Sequence, residues 1–263
     1  EKYWNADAVK LDKATFVVMP DSNAQLNAFR TGDIDIALNV PTEAAGNTEF
    51  ADCFAKPQKY VSSYFLLINS GPKNTVPALK DSNVRKALAM SIDKETMLRI
   101  LGGNDYNTQL DGFIPYGFED VDGSDFRDAV SYYQYDLEGA KELMEAAGFN
   151  ENNRLSFEYF YSEGGSHEDI AVLLKEMWSQ IDLELTSVEQ GVYYDYVDNG
   201  EFTVCRYSNN DSSDPLNYFS IFTSTSQIEG CQSVNDPVYD QMVAEAYTIT
   251  DTAEYMAKLH EIE

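Results

Sequence analysis

One polar stretch of this sequence carries the side chains best suited to binding a small ligand. It comprises Ser208, Asn209, Asn210, Asp211, Ser212, Ser213 and Asp214, and it follows an apolar segment that predicts a strand. Its side chains are short and rich in hydrogen-bonding groups, which suits contacts with a polar ligand. The stretch is therefore the first candidate for a binding site.

The two aspartates of this stretch have different structural explanations. Asp214 precedes Pro215, a pair typical of a helix N-cap followed by the first helical residue, which favours a structural role for Asp214. Asp211 has no such neighbour. It fits an Asx-turn and a ligand carboxylate equally well, and the residues alone leave both interpretations open.

A second polar loop follows another predicted strand. Residues 155–161 are rich in alternating apolar side chains, and Ser162-Glu163-Gly164-Gly165 comes next. Ligands of open α/β sheets bind beyond the carboxyl ends of the strands, where both polar loops are expected, so Ser162 joins the candidate ligand residues. Two groups of tyrosines, at positions 132, 133 and 135 and at 193, 194 and 196, fit a ligand groove or ordinary core packing.

Residue patterns of common enzymes are missing from the sequence. It contains no G-x-S-x-G, H-E-x-x-H, G-x-G-x-x-G or P-loop motif. The two histidines, His167 and His260, fall at a predicted helix start and on the last predicted helix, where we expect surface positions. Asp33 and Asp35 alternate with apolar residues and are expected to be solvated rather than a glycosidase pair.

Metal sites are also not indicated. Cys53, Cys205 and Cys231 form no C-x-x-C pair and no zinc-ligand spacing. Residues 119–125 resemble a calcium loop in composition only, because their spacing is not that of an EF-hand. We expect a solvated acidic loop there, and neither a metal nor a cofactor in this protein.

Composition and charge limit the classes of partner. The chain has 263 residues, of which 43% are hydrophobic, which is enough for a sizeable core. Its 18 basic and 45 acidic residues give a net charge of -27. Such a surface repels phosphate backbones and anionic membranes, so nucleic acid is not an expected partner. It tolerates cationic or amine-bearing solutes, although solubility alone explains the charge.

The elements needed to position these loops alternate between strands and helices. The clearest unit is a predicted strand at 155–161, a helix that begins at Ser166 and a strand at 183–188, which together predict a right-handed βαβ unit with parallel strands. Val61–Asn69 is expected to be a central strand because it is long and apolar. Further strands are predicted at 14–19, 33–38 and 202–207, and further helices begin near Ser22, Ser82, Asp93, Asp136 and Tyr193.

Several segments, in order, resemble the peptide- and oligopeptide-binding proteins of ABC importers, the family 5 class of extracellular solute-binding proteins. The segment that includes Val84-Arg85-Lys86-Ala87-Leu88 and ends at Ser91-Ile92-Asp93 is the most specific match. The others are Lys2-Tyr3-Trp4, Val9 to Lys13, Gly32-Asp33-Ile34-Asp35, Tyr135-Asp136 with Ala146-Ala147-Gly148-Phe149, Asp211 to Phe219 and Tyr255 to Ile262.

The resemblance implies a fold and a place in a longer protein. The implied class is α/β, a mixed sheet with βαβ units flanked by helices, forming one lobe of a two-lobed, type II periplasmic-binding-protein fold. Residues 1–263 are expected to be the second, C-terminal lobe as a single unit. The chain opens at Glu1 without an initiator Met and closes at Glu263 within a predicted helix, so we expect an excised piece.

The resemblance also implies a function. It implies extracytoplasmic binding of peptides for import, with no chemistry performed, by a periplasmic protein or a membrane-anchored lipoprotein. Its partners would be a peptide ligand, an ABC permease and the missing first lobe of the same chain. In the family, the aspartate at the Asp211 position takes the α-amino group of the peptide, and the neighbouring polar residues and Ser162 are candidate contacts. A non-peptide solute, such as an oligosaccharide or a metal complex, and a carboxylate hydrolase are alternatives.

Two features depart from the family pattern. Tyr207-Ser208 stands where members usually carry a tryptophan. No arginine accompanies Tyr161-Ser162, where some dipeptide binders place one for the peptide carboxylate, so short peptides held at both ends are not expected. Arg206 lies on the following strand, but the alternation of a strand can point it away from the cleft.

Overall fold

A computed structural model of the chain describes residues 3–41, 44, 48–50, 52–53, 61–101, 107–129, 131–132, 134–210, 213–226 and 236–263. Asp211 and Ser212, two of the predicted ligand residues, lie outside these ranges, as do Tyr133 and Cys231. No helix in the described ranges has the length and apolar character required to cross a membrane.

One mixed sheet forms the centre of the structure. Its strands stand in the order β1-β4-β2-β3, with β1 antiparallel to β4 and the other pairs parallel. The strands are β1 (Ser63–Ile68), β2 (Ser156–Ser162), β3 (Asp182–Val188) and β4 (Val204–Asn209). The predicted α/β class and the parallel βαβ unit are confirmed.

Nine α-helices accompany this sheet in the described ranges. They are α1 (Ser22–Thr31), α2 (Ser82–Met90), α3 (Lys94–Ile100), α4 (Leu137–Ala146), α5 (His167–Met177), α6 (Gln190–Asp198), α7 (Leu216–Ser220), α8 (Pro237–Ala246) and α9 (Thr252–Ile262). Aspartate N-caps, whose carboxylates accept a backbone N–H of the first turn, begin six of them. The cap of α2 is Asp81 rather than Ser82, and Ser166 makes no side-chain cap bond at α5.

Alternate residues of the strands face two different helix layers. On one face Tyr159 and Leu183 pack against Leu174 of α5, in a core that also takes Val84 and Leu88 of α2. On the other face, a smaller cluster joins β2 and β4 to α6, through Phe160, Cys205, Tyr193 and Val197. The period of two along each strand therefore buries both sides of the sheet, as parallel strands require.

A third cluster lies beside the sheet. It joins α7, α8 and α9 to the loop around Ile114 and Phe126. The ring of His260 stacks on Phe126 at 3.9 Å, and its Nε2 lies 2.7 Å from a carboxylate oxygen of Asp120. The expectation of a surface position for His260 is wrong, because this loop folds over α9 and partly covers the ring.

Three strand predictions are corrected by the structure. Among the strands that the structure describes, the one within Val61–Asn69 stands at the edge of the sheet, because it pairs with β4 alone. Residues 14–19 and 33–38 form no strand in the described part of the chain, and most of their apolar side chains are exposed. A strand needs a neighbour for its backbone N–H and C=O groups, and no described strand pairs with either segment.

Truncating Leu174 to alanine is expected to destabilise the sheet core. Leu174 of α5 is fully buried against the sheet. Leu174→Ala should therefore lower the free energy of unfolding by about 3 kcal/mol, because apolar burial is lost and a cavity remains. Val172 on the same helix is 56% exposed, and Val172→Ala should change the free energy by less than about 0.5 kcal/mol. Urea unfolding measures both, and equal effects would contradict this packing.

Candidate functional site

The order of the strands brings three carboxyl ends to one edge of the sheet. The parallel strands β2, β3 and β4 end at Ser162, Val188 and Asn209, so their carboxyl ends lie along one edge. The chain leaves β2 through α5 on one face and reaches β4 from α6 on the opposite face. Open α/β sheets bind ligands beyond the carboxyl ends of their strands, so this edge is the candidate site.

The side chain of Arg206 is buried near this edge. Its Nη2 donates a hydrogen bond of 2.6 Å to the Ser162 hydroxyl across the β2–β4 boundary. The guanidinium carbon lies 4.7 Å from the ring centroid of Tyr193 and 5.6 Å from that of Tyr194, both on α6. No arginine is adjacent to Tyr161-Ser162 in the sequence. In the folded chain, however, the pairing of β2 with β4 brings Arg206 next to Ser162.

The charge of Arg206 is only partly compensated. Arg206 is 4% exposed, and its Nε is buried with no hydrogen-bond partner in the described structure. No carboxylate of the described residues forms a salt bridge with it. A buried cation without an anion is unfavourable, so the site has capacity for an anionic group.

Tyr64 and His167 complete the cluster on the side of β1 and α5. Their rings stack at 5.7 Å, and the Tyr64 hydroxyl lies 3.2 Å from Nδ1 of His167. Burial, assisted by the positive Arg206, lowers the pKa of His167 to about 4. Burial raises the pKa of Tyr64 to about 12. At neutral pH, both groups are therefore uncharged, and the imidazole tautomer decides which of them donates the hydrogen bond. His167 is partly buried rather than fully exposed.

The predicted polar stretch begins at the same edge. Ser208 and Asn209 are the last residues of β4 and are half-buried, while Asn210 is exposed. The Ser62 hydroxyl donates to Oδ1 of Asn210 at 2.5 Å. The buried Tyr218 hydroxyl lies 3.4 Å from the Asn209 carbonyl oxygen. The sheet thus brings the start of this stretch to the edge where Arg206 and Ser162 meet, and Asp211 follows directly in the sequence.

Ser162 has a supporting position in this arrangement. Its side chain is fully buried, and its hydroxyl accepts the hydrogen bond from Arg206. It orients the guanidinium rather than facing solvent. Some tyrosines fitted either a ligand groove or core packing. Of these, Tyr193 is buried in the core, whereas Tyr194 and Tyr196 are each 39% exposed.

Asp214 has the structural role that its sequence context favours. Its Oδ1 accepts the backbone N–H of Leu216 at 2.8 Å and also the hydroxyl of Tyr255 on α9. Burial is the larger cause, and the Asp214 carboxylate the smaller one, of a pKa of Tyr255 above its usual range. Asp214 therefore fixes the start of α7 and links it to α9.

The acidic loop and the cysteines form no site in the described residues. Asp122 accepts the backbone N–H and hydroxyl of Ser124, and Asp125 accepts the N–H of Gly117, so these carboxylates hold their own turn. No group of three or more metal-ligating side chains occurs in the described ranges. Cys205 is a free, buried thiol, and Cys53 is free and exposed.

The sequence does not decide the role of Arg206, although it contains a sign that this residue makes a specific contact. It follows Val204 and Cys205 in a strand expected to be buried, where an arginine is rare unless it serves a specific contact. The contacts of Tyr64 and His167 had no comparable signal, because they lie 103 residues apart and meet only through the fold.

Comparisons with known proteins agree with the fold. The family model described as bacterial extracellular solute-binding proteins, family 5 Middle, matches residues 1–230. The dipeptide-binding protein DppE of Bacillus subtilis is 26% identical over 276 residues, which cover 100% of this chain and 48% of that protein. The periplasmic oligopeptide-binding protein OppA of Haemophilus influenzae is 27% identical over 281 residues, covering 99% and 49%.

A solved structure shows the same architecture. The substrate-binding domain of an oligopeptide ABC transporter from Bacillus anthracis superposes with a TM-score of 0.84 at 21% identity, covering 99% of this chain and 52% of that one. At this identity the likeness shows the fold alone. The chain spans about half the length of the curated relatives it matches.

Removal of the Arg206 charge is expected to raise the pKa of His167. The value in Arg206→Met should rise from about 4 but stay below the usual 6.5, because burial is the larger cause of the shift. NMR titration of the imidazole measures this, with Arg154→Met, near the start of β3, as the control that leaves the value unchanged.

The same shift fixes the sign of a pH effect on stability. Because the folded pKa of His167 lies below its unfolded value, protons bind the unfolded chain preferentially as the pH falls from 6.5 towards 4. His167 therefore lowers stability across that window, and His167→Gln should reduce the pH dependence there. An unchanged pH dependence in urea unfolding would contradict the burial of His167.

Proposed function

Because this chain belongs to the bacterial extracellular solute-binding proteins of family 5, we propose that it is part of a receptor that binds peptides outside the cytoplasm and delivers them to an ABC permease. The relatives DppE and OppA support a peptide ligand, since they are dipeptide- and oligopeptide-binding proteins. The ligand lies beyond the carboxyl ends of β2 and β4, and the other half of the full-length protein covers it.

The observation that carries this proposal is the uncompensated charge of Arg206. Its buried guanidinium lacks a salt-bridge partner in the described ranges, and it lies where the polar stretch leading to Asp211 begins. A peptide brings both charges that such a site accommodates. Its carboxylate balances Arg206, directly or through a water, and its α-amino group donates to the Asp211 carboxylate.

Recognition of the two ends explains how peptides of different sequence are accepted. Charged groups at the termini and the polar main chain are common to all peptides, so side chains need only loose pockets. Ser208, Asn209, Asn210 and Ser212 contribute hydrogen-bonding groups to this main-chain recognition, and Ser162 acts by holding Arg206. The net charge of -27 attracts the amine end over longer distances.

The proposed role includes no chemistry. In the described ranges, His167 bonds to Tyr64 and His260 lies against Asp120, so neither imidazole faces an activated nucleophile. The protein acts in the periplasm or as an anchored lipoprotein, and it closes on its ligand with its missing first lobe.

A second candidate keeps the fold and changes the solute. Tyr194 and Tyr196 are half-exposed on α6, and Tyr194 lies beside Arg206. Exposed tyrosine rings stack on sugars as well as on peptide side chains. In this alternative an oligosaccharide or a metal complex binds, and Asp211 only shapes its loop.

Acetylation of the peptide N-terminus is expected to weaken binding. Loss of the ammonium removes a charge-assisted hydrogen bond to Asp211, so the full-length protein should bind acetylated peptides about 10- to 100-fold more weakly than free ones in calorimetry. In Asp211→Asn the two forms should bind nearly equally. Asp198→Asn, an exposed carboxylate on α6, is the control. Equal affinity of the wild type for both forms would refute the amine role.

Amidation of the peptide C-terminus tests Arg206 separately. The wild type should bind amidated peptides about tenfold or more weakly, since the anion that balances the guanidinium is lost. Arg206→Gln should bind both forms equally, while Arg206→Lys keeps part of the difference because it keeps the charge. Binding of an oligosaccharide with no binding of any peptide would favour the second candidate.

A further inference from the structure

The polar stretch ends at a hydrogen bond to a distant helix. Oδ1 of Asp214 accepts the backbone N–H of Leu216 at 2.8 Å and also accepts the hydroxyl of Tyr255 on α9. The first bond joins neighbours in the sequence and begins α7. The second joins residues 41 positions apart, so it decides where the end of the stretch stands relative to the rest of the fold.

Helix α9 gives this hydroxyl a firm support. Leu259 is fully buried in the cluster beside the sheet. At the end of the helix, the buried carboxylate of Glu263 accepts the backbone N–H groups of Phe113 and Ile114. Because packing and hydrogen bonds hold the helix in place, the Tyr255 hydroxyl has a fixed position, which a residue that positions another must have.

The sheet fixes the other end of the polar stretch. Ser208 and Asn209 are the last residues of β4, which pairs with β1 along its whole length. Only four residues, 210–213, separate this end from Asp214. Fixing both ends of a short connection reduces the conformations open to it, and a site with fewer conformations loses less entropy when it binds a ligand.

The Tyr255 hydroxyl is the donor in its bond to Asp214. Burial raises the pKa of Tyr255, and the Asp214 carboxylate raises it further, so the hydroxyl stays protonated at neutral pH. A hydrogen bond to an ionised acceptor is stronger than one between neutral groups. The contact is therefore suited to holding Asp214 in one position.

A small cavity borders this bond. Its volume is about 250 Å³, and its lining includes Asp214, Tyr255, Thr250 and Thr252. Water in a polar cavity can take the place of a lost hydroxyl at Asp214, so removal of the hydroxyl costs little stability. A water molecule does not tie Asp214 to α9, however. The position of the polar stretch, rather than the stability of the fold, is what this hydroxyl decides.

We propose that Tyr255 is a positioning residue for ligand binding, whose hydroxyl acts through Asp214 to hold the polar stretch in the arrangement that receives the ammonium group of a peptide. Tyr255 is not itself a ligand contact. Because this role serves the binding site of the proposed function, it rests on that proposal. It is separate from the capping role of Asp214, which needs only the N–H of Leu216.

Peptide binding by variants of the full-length protein tests this role. Tyr255→Phe should bind a free peptide about 5- to 10-fold more weakly than the wild type in calorimetry, because the support of one charge-assisted hydrogen bond is lost. Binding of the N-acetylated peptide should not change, so the preference for the free amine should fall by the same factor. The preference for a free over an amidated C-terminus, which depends on Arg206, should stay unchanged. A merely destabilised protein would lose both preferences.

Tyr239→Phe is the matched control. The Tyr239 hydroxyl of α8 donates to the carbonyl oxygen of Phe219 at 2.8 Å, so it holds the far end of α7. Its removal should lower the melting temperature at least as much as Tyr255→Phe does and should leave both preferences unchanged. If Tyr239→Phe reduced the preference for the free amine as strongly as Tyr255→Phe, general loosening of α7 would be the cause, and the proposal would be overturned.

Two changes at Asp214 test the path of the effect. Asp214→Asn keeps an oxygen acceptor for both donors and should retain most of the preference for the free amine. Asp214→Ala should reduce that preference at least as much as Tyr255→Phe. Addition of Tyr255→Phe to Asp214→Ala should then have no further effect, because the two residues act through one bond. Independent, additive effects would contradict the proposed path.

Failure of the proposed function gives a different result. If the wild type bound no peptide, or did not distinguish free from acetylated peptides, the amine role of the site would be wrong, and the role of Tyr255 would be wrong with it. If the wild type showed the preference and Tyr255→Phe showed it undiminished, only the inference about Tyr255 would be overturned.

Discussion

The pairing of β4 beside β2 is the constraint on which the candidate site depends. Parallel strands need crossovers, and here the crossovers through α5 and α6 lie on opposite faces of the sheet. The carboxyl ends of β2, β3 and β4 lie along one edge of the sheet. This pairing places Arg206 against Ser162 and starts the polar stretch at Ser208. A different strand order would separate Arg206 from Ser162 and would place Ser208 elsewhere.

The electrostatics of the chain act at two scales. A net charge of -27 surrounds the molecule with a negative potential, which salt screens within about 10 Å. Arg206 is a buried positive charge inside that field, and its interactions are stronger because water is largely excluded there. Tyr64 and His167 are neutral at pH 7 and leave that charge unbalanced. The combination suits a solute that carries both an amine and a carboxylate.

Burial divides the chain into regions with different needs. From Val61 onward, the buried apolar residues of the described ranges pack in clusters on the two faces of the sheet and beside α9. Before Pro41 they do not, although the local pattern is just as regular. Asp21 still caps α1, and Gly32 still ends it at φ 79, because capping needs only neighbours along the chain. Pairing of strands needs a distant neighbour, and that is what residues 14–38 lack.

The sequence by itself determined whatever depends on short separations. Local pattern is enough for the helix caps Asp93 and Asp136, the βαβ unit around α5, the structural role of Asp214 and the family resemblance, and the structure or the comparisons agree with these. Tertiary structure alone decided that β1 is an edge strand and that residues 14–19 stay unpaired. It also decided that Arg206, Tyr64 and His167 form one cluster. The reason is physical: strand order and burial depend on contacts between residues far apart in the chain, which hydrophobic periodicity does not record.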